Sequence, residues 1–188
     1  MVNPKDVQPV AFEWTSASDL YELKGASFAY KAGGADQYRP VMGGLPMKPN
    51  SGLYFYEFRV NCDNTRVGIC TAEVDVRGEM GKIPKCWSIN LQTGAVEVNG
   101  VEVKRLWRLV TPVSGGVCAF IYDSNKGTLQ FYFNEEFHGT AVNDANAVHE
   151  TVFPCCGVAG VEANNRNIGV GVKGAIVNPT PRPYRTFV

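Results

Sequence analysis

The stretch VCAFIYDSNKGTLQFYFNEEF, residues 117–137, decides the fold of this chain. Apolar and aromatic side chains alternate along residues 117–122 and again along residues 129–134, which places one set on each face of two pleated strands. Between these runs, Asn125-Lys126-Gly127 contains residues that tolerate the positive φ of a short hairpin loop. Because two strands cannot bury both of their faces alone, the pattern predicts a hairpin inside a larger sheet.

A second hairpin is predicted around Asn99-Gly100, which separates the alternating residues 95–98 and 101–104 and is typical of a type I′ turn. Many other short runs have strand character: residues 10–14, 20–23, 27–30, 52–60, 66–71, 86–91, 106–113, 152–161 and 168–172. The segments between them are interpreted as a long connection (31–51), a surface loop (73–85) and a helical turn or loop (143–149). This arrangement, with no long helical period, predicts an all-β fold, an antiparallel two-sheet β-sandwich.

The length and composition indicate one globular domain. The chain has 188 residues, of which 45% are apolar and 19% charged. Lys plus Arg and Asp plus Glu each number 18, and the zero net charge argues against a nucleic-acid partner. No signal peptide or membrane-spanning run is recognisable, so we expect no membrane partner and a cytoplasmic, intracellular protein. We expect the domain at residues 10–177, after a lead-in at 1–9 and before a Pro-rich tail at 178–188.

The six cysteines predict no disulfide framework. Most of them lie in apolar strand-like runs, and no Cys-x-x-Cys pair occurs: Cys62, Cys70, Cys86, Cys118, Cys155 and Cys156. We interpret them as reduced, buried residues of the core. The adjacent Cys155-Cys156 leaves a redox or metal role open as the alternative to core packing.

The order of short motifs resembles the SPRY domain family. Six segments carry the likeness, with the core motifs spanning residues 52–172: GLYFYEF (52–58), RVGIC (66–70), WSI (87–89), DSNKGTLQFYFN (123–134), GTA (139–141) and FP (153–154). Three departures are Trp87-Ser88 in reversed order, Glu135 where the family commonly has Gly, and Val142 where it has Phe. The Glu135 departure predicts a different loop at that hairpin.

The resemblance implies a SPRY or concanavalin-like jelly-roll sandwich that binds a protein or peptide partner through loops at one rim, with no catalytic constellation. Carried over by order, the rim loops are residues 38–42, 63–65, 77–83 and 157–164. The implied partner-binding residues are Tyr38, Arg39, Pro40, Val41, Met42, Asp63, Asn64, Thr65, Arg77, Met80, Lys82, Ile83 and Val161. Arg39-Pro40-Val41 resembles the first loop of the SPRY-SOCS-box relatives, but the Trp those relatives have near Gly160 is missing, so we do not expect their peptide specificity.

Catalytic and cofactor motifs are weak in this sequence. His138 and His149 are the only histidines, and neither accompanies a nucleophile motif. The glycine pairs lack a following Gly-Lys-Ser/Thr, so turns explain them better than phosphate loops. Glu73, Asp75 and Glu79 form the single acidic cluster, which we interpret as a solvated loop. We therefore expect a non-enzymatic protein with no cofactor and no metal.

Three functions compete at this point. The first is an adaptor-like protein–protein interaction module, as the resemblance implies. The second is a structural or scaffold subunit of a larger cytoskeletal or ciliary assembly, docked through the Pro-rich tail. The third is a lectin-like ligand-binding jelly roll, which would need a deep polar or aromatic-lined pocket.

Overall fold

The structure is a computed structural model that describes residues 10–25, 27–30, 37–60, 64–106, 115–143, 149–159 and 171–173. This part of the chain contains strands and no helix, which confirms the all-β prediction. The strands are β1 (Trp14–Ser16), β2 (Tyr21–Lys24), β3 (Ser27–Tyr30), β4 (Val41–Gly43), β5 (Leu53–Val60), β6 (Thr65–Thr71), β7 (Cys86–Asn90), β8 (Ala95–Val98), β9 (Val101–Arg105), β10 (Val117–Asp123), β11 (Thr128–Phe133), β12 (Glu136–Asn143), β13 (Val152–Val158) and β14 (Gly171–Lys173).

These strands form two antiparallel sheets. Sheet I has the order β1-β4-β13-β6-β7-β8-β9, and sheet II has the order β12-β11-β10-β5-β14-β3-β2. The predicted central hairpin is the pair β10–β11 of sheet II. All seven residues of β10 also pair with β5. The inner faces of the two sheets enclose the main core.

Aromatic side chains dominate the centre of that core. The ring of Phe120 on β10 lies 5.0 Å from Tyr56 and 5.6 Å from Phe58, both on β5, measured between ring centroids. It also lies 5.2 Å from Phe131 on β11. The alternate residues of the hairpin are buried too, because Ala119 and Ile121 belong to a second cluster on the outer face. Both faces of the central hairpin are therefore covered, as its two alternating apolar sets predict.

The turns at both ends of β11 contain residues with left-handed backbone conformations. At the tip of β10–β11, Gly127 has a positive φ of 62°, and the carboxylate of Asp123 accepts the Asn125 amide proton at 3.0 Å. At the β11–β12 turn, Asn134 and Glu135 have φ of 48° and 71°. Both central residues are thus left-handed, as in a two-residue type I′ loop. The prediction of a different loop there is wrong, because Glu135 adopts the backbone conformation that Gly usually supplies.

The structure also shows where the long connection, the cysteines and two of the tryptophans lie, and some predicted segments fall outside the described residues. The segment 31–51, interpreted as a long connection, contains strand β4, and Met47 within it is fully buried beside Val152. The five described cysteines are buried and outside any disulfide, and Trp14 and Trp87 belong to the core. The lead-in (1–9), the tail (178–188), Cys62 and residues 107–113 of the predicted strand 106–113 lie outside the described part.

Candidate functional site

The segment between β6 and β7, residues 72–85, covers the outer face of sheet I. Apolar side chains from this segment pack on cysteines of three neighbouring strands: Val74, Met80 and Ile83 on Cys70, Cys86 and Cys155. The sequence predicts a polar surface loop here because its charged residues outnumber these three apolar ones. The apolar residues nevertheless anchor the segment, so its backbone has a fixed position on the sheet.

Arg66 connects this segment to the sheet. Its guanidinium Nη1 lies 3.2 Å from a carboxylate oxygen of Glu79 and donates to the Met80 carbonyl at 2.5 Å. Its Nη2 lies 3.2 Å from the carboxylate of Glu97 on β8. The Arg66 side chain is only 9% exposed, so this ion-pair network is largely removed from water. Burial raises the pKa of Glu97, and the Arg66 charge opposes that rise.

Tyr38, in the loop before β4, contacts both Arg66 and the segment between β6 and β7. The Arg66 guanidinium carbon lies 4.3 Å from the centre of the Tyr38 ring, a cation–π arrangement. The backbone amide of Met80 donates to the Tyr38 carbonyl at 2.7 Å. Two loops that are about forty residues apart in the sequence are therefore joined by backbone and side-chain contacts. We call Tyr38, Arg39, Arg66, Glu79, Met80, Lys82 and Glu97 the rim cluster.

Gly157 on β13 allows the two loops to meet. A methyl group added at this position would lie 2.7 Å from the Met80 sulfur and 2.8 Å from the Arg39 carbonyl oxygen. That carbonyl also accepts the Tyr21 hydroxyl proton at 2.7 Å. The absence of a side chain at Gly157 is thus a requirement of close approach.

The rim cluster presents charged groups to solvent. The ammonium group of Lys82 is 2.9 Å from Glu79, and its side chain is 68% exposed. The Arg39 side chain is 21% exposed and lies 4.0 Å from Asp19. The surface therefore combines cations on flexible stems with a rigid base, which suits recognition of a polar or acidic protein segment.

The structure brings together the predicted rim loops 38–42 and 77–83, and it places Gly157 beneath them. Within these loops, Tyr38, Arg39 and Met42 are half-buried, and Arg77 and Lys82 are exposed. Other predicted site residues are buried and can support the loops but not contact a partner through exposed side chains: Pro40, Val41, Thr65, Met80 and Ile83. Asn64 is half-buried and contacts Gln92 and Ala159 instead. Asp63 and Val161 lie outside the described residues.

Sequence reasoning missed Arg66 and Glu97 as parts of this site, and it placed Glu79 in a rim loop without naming it as a site residue. Arg66 is the single charged residue in the run TRVGICT, whose members are all buried. A charge in such a run is a signal, since buried cations need partners. Its partners could not be named from the sequence because Glu97 lies 31 positions away and meets it only through strand pairing.

The two histidines lie apart from the rim cluster. His138 is 5% exposed and packs against Phe131 and Phe133. Desolvation lowers the pKa of His138 to about 4, so it is a poor general base at neutral pH. Burial raises the pKa of Cys118 and of Cys155, which disfavours their thiolate forms. Within the described ranges, no three His, Cys, Asp or Glu side chains are grouped to hold a metal ion.

No helix in the described part of the chain is long and apolar enough to cross a membrane.

Comparison with known proteins gives a consistent result. A family model described as "SPRY domain" matches residues 53–170. The TRIM65 PSpry domain superposes with a TM-score of 0.68 at 14% identity, over 89% of this chain and 93% of that one. The SPRY domain of human HERC1 gives 0.59 at 18% identity, over 80% and 87%. A further human SPRY domain gives 0.61 at 12% identity, over 85% and 97%. No curated protein sequence matches significantly.

Proposed function

Because this chain belongs to the SPRY domain family, whose members are generally protein–protein interaction modules, we propose that it binds a protein or peptide partner through the rim cluster. The observation that carries this proposal is the burial of Arg66 between Glu79, Glu97 and Tyr38. This network fixes two loops before any partner arrives. A fixed surface loses less conformational entropy on binding than a mobile one does.

The partner segment is polar and carries acidic groups. Arg39 and Lys82 are the cations that the rim cluster offers to solvent, and Arg77 is exposed in the adjoining part of the same loop. The exposed part of Tyr38 adds an aromatic surface beside them, and Tyr and Arg are enriched at protein interfaces. An acidic residue flanked by an apolar or aromatic one fits this combination.

The proposal includes a non-enzymatic role and an intracellular location. Cys70, Cys86, Cys118 and Cys155 are free thiols, as is usual for proteins of reducing compartments. SPRY domains are generally non-catalytic binding modules. Cell fractionation of a tagged chain tests the location, and recovery in the secreted fraction would contradict it.

Affinity capture with matched variants tests the binding surface. The full chain is immobilised as wild type, as Arg39→Ala/Lys82→Ala, and as the control Lys126→Ala, whose exposed side chain lies at the β10–β11 turn. Captured proteins are quantified by mass spectrometry. The proposal expects a partner that the rim variant loses at least about tenfold, a change of about 1.4 kcal/mol, and that the control retains. Equal capture by all three chains, or capture of nothing above background, would contradict it.

A further inference from the structure

A cleft lies at the end of sheet I where β6 finishes. Arg66 and the rim cluster lie at the other end, where β6 begins. The cleft has a volume of about 290 Å³ and lies between the end of β6, the start of β7 and the β8–β9 turn. Thr71 is the last residue of β6 and Arg66 is its second residue. The five-residue separation corresponds to about 17 Å along an extended strand. The cleft is therefore separate from the rim cluster, and its function does not depend on the function proposed for that cluster.

The floor of the cleft is mostly apolar. Trp87, Val98 and Val152 line it together with Pro84. Ligand pockets for whole small molecules are usually about 300–1,000 Å³. A cleft of about 290 Å³ lies just below that range, so it suits one large side chain better than a nucleotide or a cofactor.

A buried hydroxyl in the wall has no partner. Thr71 is 2% exposed, and its Oγ1 has no hydrogen-bond partner in the described structure. A buried hydroxyl without a hydrogen-bond partner carries a free-energy cost. A ligand that donates or accepts a hydrogen bond inside the cleft would recover part of that cost.

Lys85 and Glu150 line the cleft, and Glu73 lies beside it through its ion pair with Lys85. The ammonium group of Lys85 lies 2.5 Å from Glu73 and 3.1 Å from Glu150. One cation thus faces two carboxylates, and the Glu150 and Glu73 side chains are 54% and 73% exposed. A cationic group is favoured at this cleft and an anionic one is disfavoured.

We propose that this cleft binds the side chain of an arginine from a partner peptide. An arginine carries an apolar stem that packs on Trp87 and Val98, and a planar guanidinium that can stack on an indole and pair with a carboxylate. Glu150 is the carboxylate that lines the cleft itself. The guanidinium carries five N–H donors, so one remains for the Thr71 hydroxyl.

The charges at the cleft make opposite predictions for two variants. Glu150→Gln removes the carboxylate and weakens arginine binding about threefold or more, as expected for a partly exposed ion pair. Lys85→Gln removes the competing cation and strengthens binding by a similar factor. If the cleft only supported the fold, the two substitutions would not change arginine affinity in opposite directions. Glu136→Gln on β12 of sheet II makes the same chemical change away from the cleft and serves as the control.

Nα-acetyl-arginine amide is the probe, titrated into the ¹⁵N-labelled full chain and followed by NMR. We expect saturable shifts of the Thr71, Val98 and Val152 amides, a weaker response to the lysine derivative and none to the uncharged citrulline derivative. Folding of each variant is checked from the unchanged remainder of its spectrum. The absence of saturable shifts, an equal response to citrulline or lysine, or the same affinity in Glu150→Gln and Lys85→Gln would overturn the proposal.

Discussion

The guanidinium of Arg66 is enclosed by two carboxylates and an aromatic ring, so its replacement would leave Glu79 and Glu97 without their shared cation. We expect Arg66→Met to lower the free energy of unfolding by about 3 kcal/mol, since breaking a buried ion pair from one side usually costs about 3–5 kcal/mol. Urea denaturation measures this change. The double variant Arg66→Met/Glu97→Gln should lose less than the sum of the two single variants. Strict additivity, or a loss below about 0.5 kcal/mol for Arg66→Met, would contradict the network.

The buried imidazole of His138 gives the fold a dependence on pH. Its pKa is about 4 in the folded chain and near 6.5 when exposed. As pH falls below 6.5 the unfolded chain takes up a proton first, so stability is complete above that pH and is lost between about 6.5 and 4. The loss attributable to this group is at most about 3 kcal/mol.

Thermal unfolding of His138→Leu from pH 7.5 to pH 4 measures this contribution. The variant should show a flatter decrease of Tm with falling pH than the wild-type chain. Phe133→Leu is the control, because Phe133 packs on His138 and has no titratable group, and it should keep the wild-type slope. Parallel curves for wild type and His138→Leu would contradict this account, because they would mean that His138 has the same pKa in the folded and unfolded chain.

At the scale of single residues, the sequence indicates which loops lie near the rim but not which of their side chains face solvent. The resemblance to SPRY domains implied Tyr38, Arg39 and Lys82 as rim-loop residues, and in the structure Lys82 is exposed while Tyr38 and Arg39 are half-buried. Met80 was expected at the surface but is fully buried. Its position depends on the cysteines of three strands that come together only in the folded sheet.

Among the elements, hairpins with a local turn signal were predictable within one or two residues. Asn99 and Gly100 have φ of 50° and 79°, as the type I′ prediction requires. Strand β4 was missed because its three residues gain their conformation from pairing with β1 and β13. Strand β12 contains two irregularities in its pairing with β11, so its side chains do not follow the simple alternation that marks a strand.

Because β13 packs closely against the rim loops at Gly157, adding one methyl group there should destabilise the fold. Gly157→Ala would place that group against the Met80 sulfur and the Arg39 carbonyl. We expect a loss of about 1–3 kcal/mol, as for other overpacked sites, together with weaker partner binding. Hydrogen exchange at the Met80 amide, which donates to the Tyr38 carbonyl, reports the displacement directly. Unchanged exchange and unchanged stability would mean that the loops are not held as described.

The whole molecule depends on the aromatic layer between the two sheets. Phe120 contacts rings on both neighbouring strands and is fully buried. Phe120→Ala should lower the free energy of unfolding by about 3–5 kcal/mol, because it removes a buried ring and leaves a cavity. Leu53→Ala, at a side chain that is 39% exposed, is the control and should cost much less. Comparable losses in the two variants, measured by urea denaturation, would contradict the assignment of the core.

The fold of the whole chain was predictable because strand alternation and turn residues agree along most of the sequence. The site was predictable only in part. Residue order indicates which loops lie at a rim, but the contacts between Arg66, Tyr38 and Glu97 depend on tertiary packing. The tail 178–188 and the scaffold function that it suggests remain predictions, since the tail lies outside the described residues.

Hydrogen exchange of the chain with and without its captured partner tests binding through the rim cluster most directly. We predict that partner binding slows exchange in residues 37–40 and 77–83, while the β10–β11 turn at residues 124–127 keeps its free-state rates. Unchanged exchange in residues 37–40 and 77–83, in the presence of a bound partner, would contradict the account.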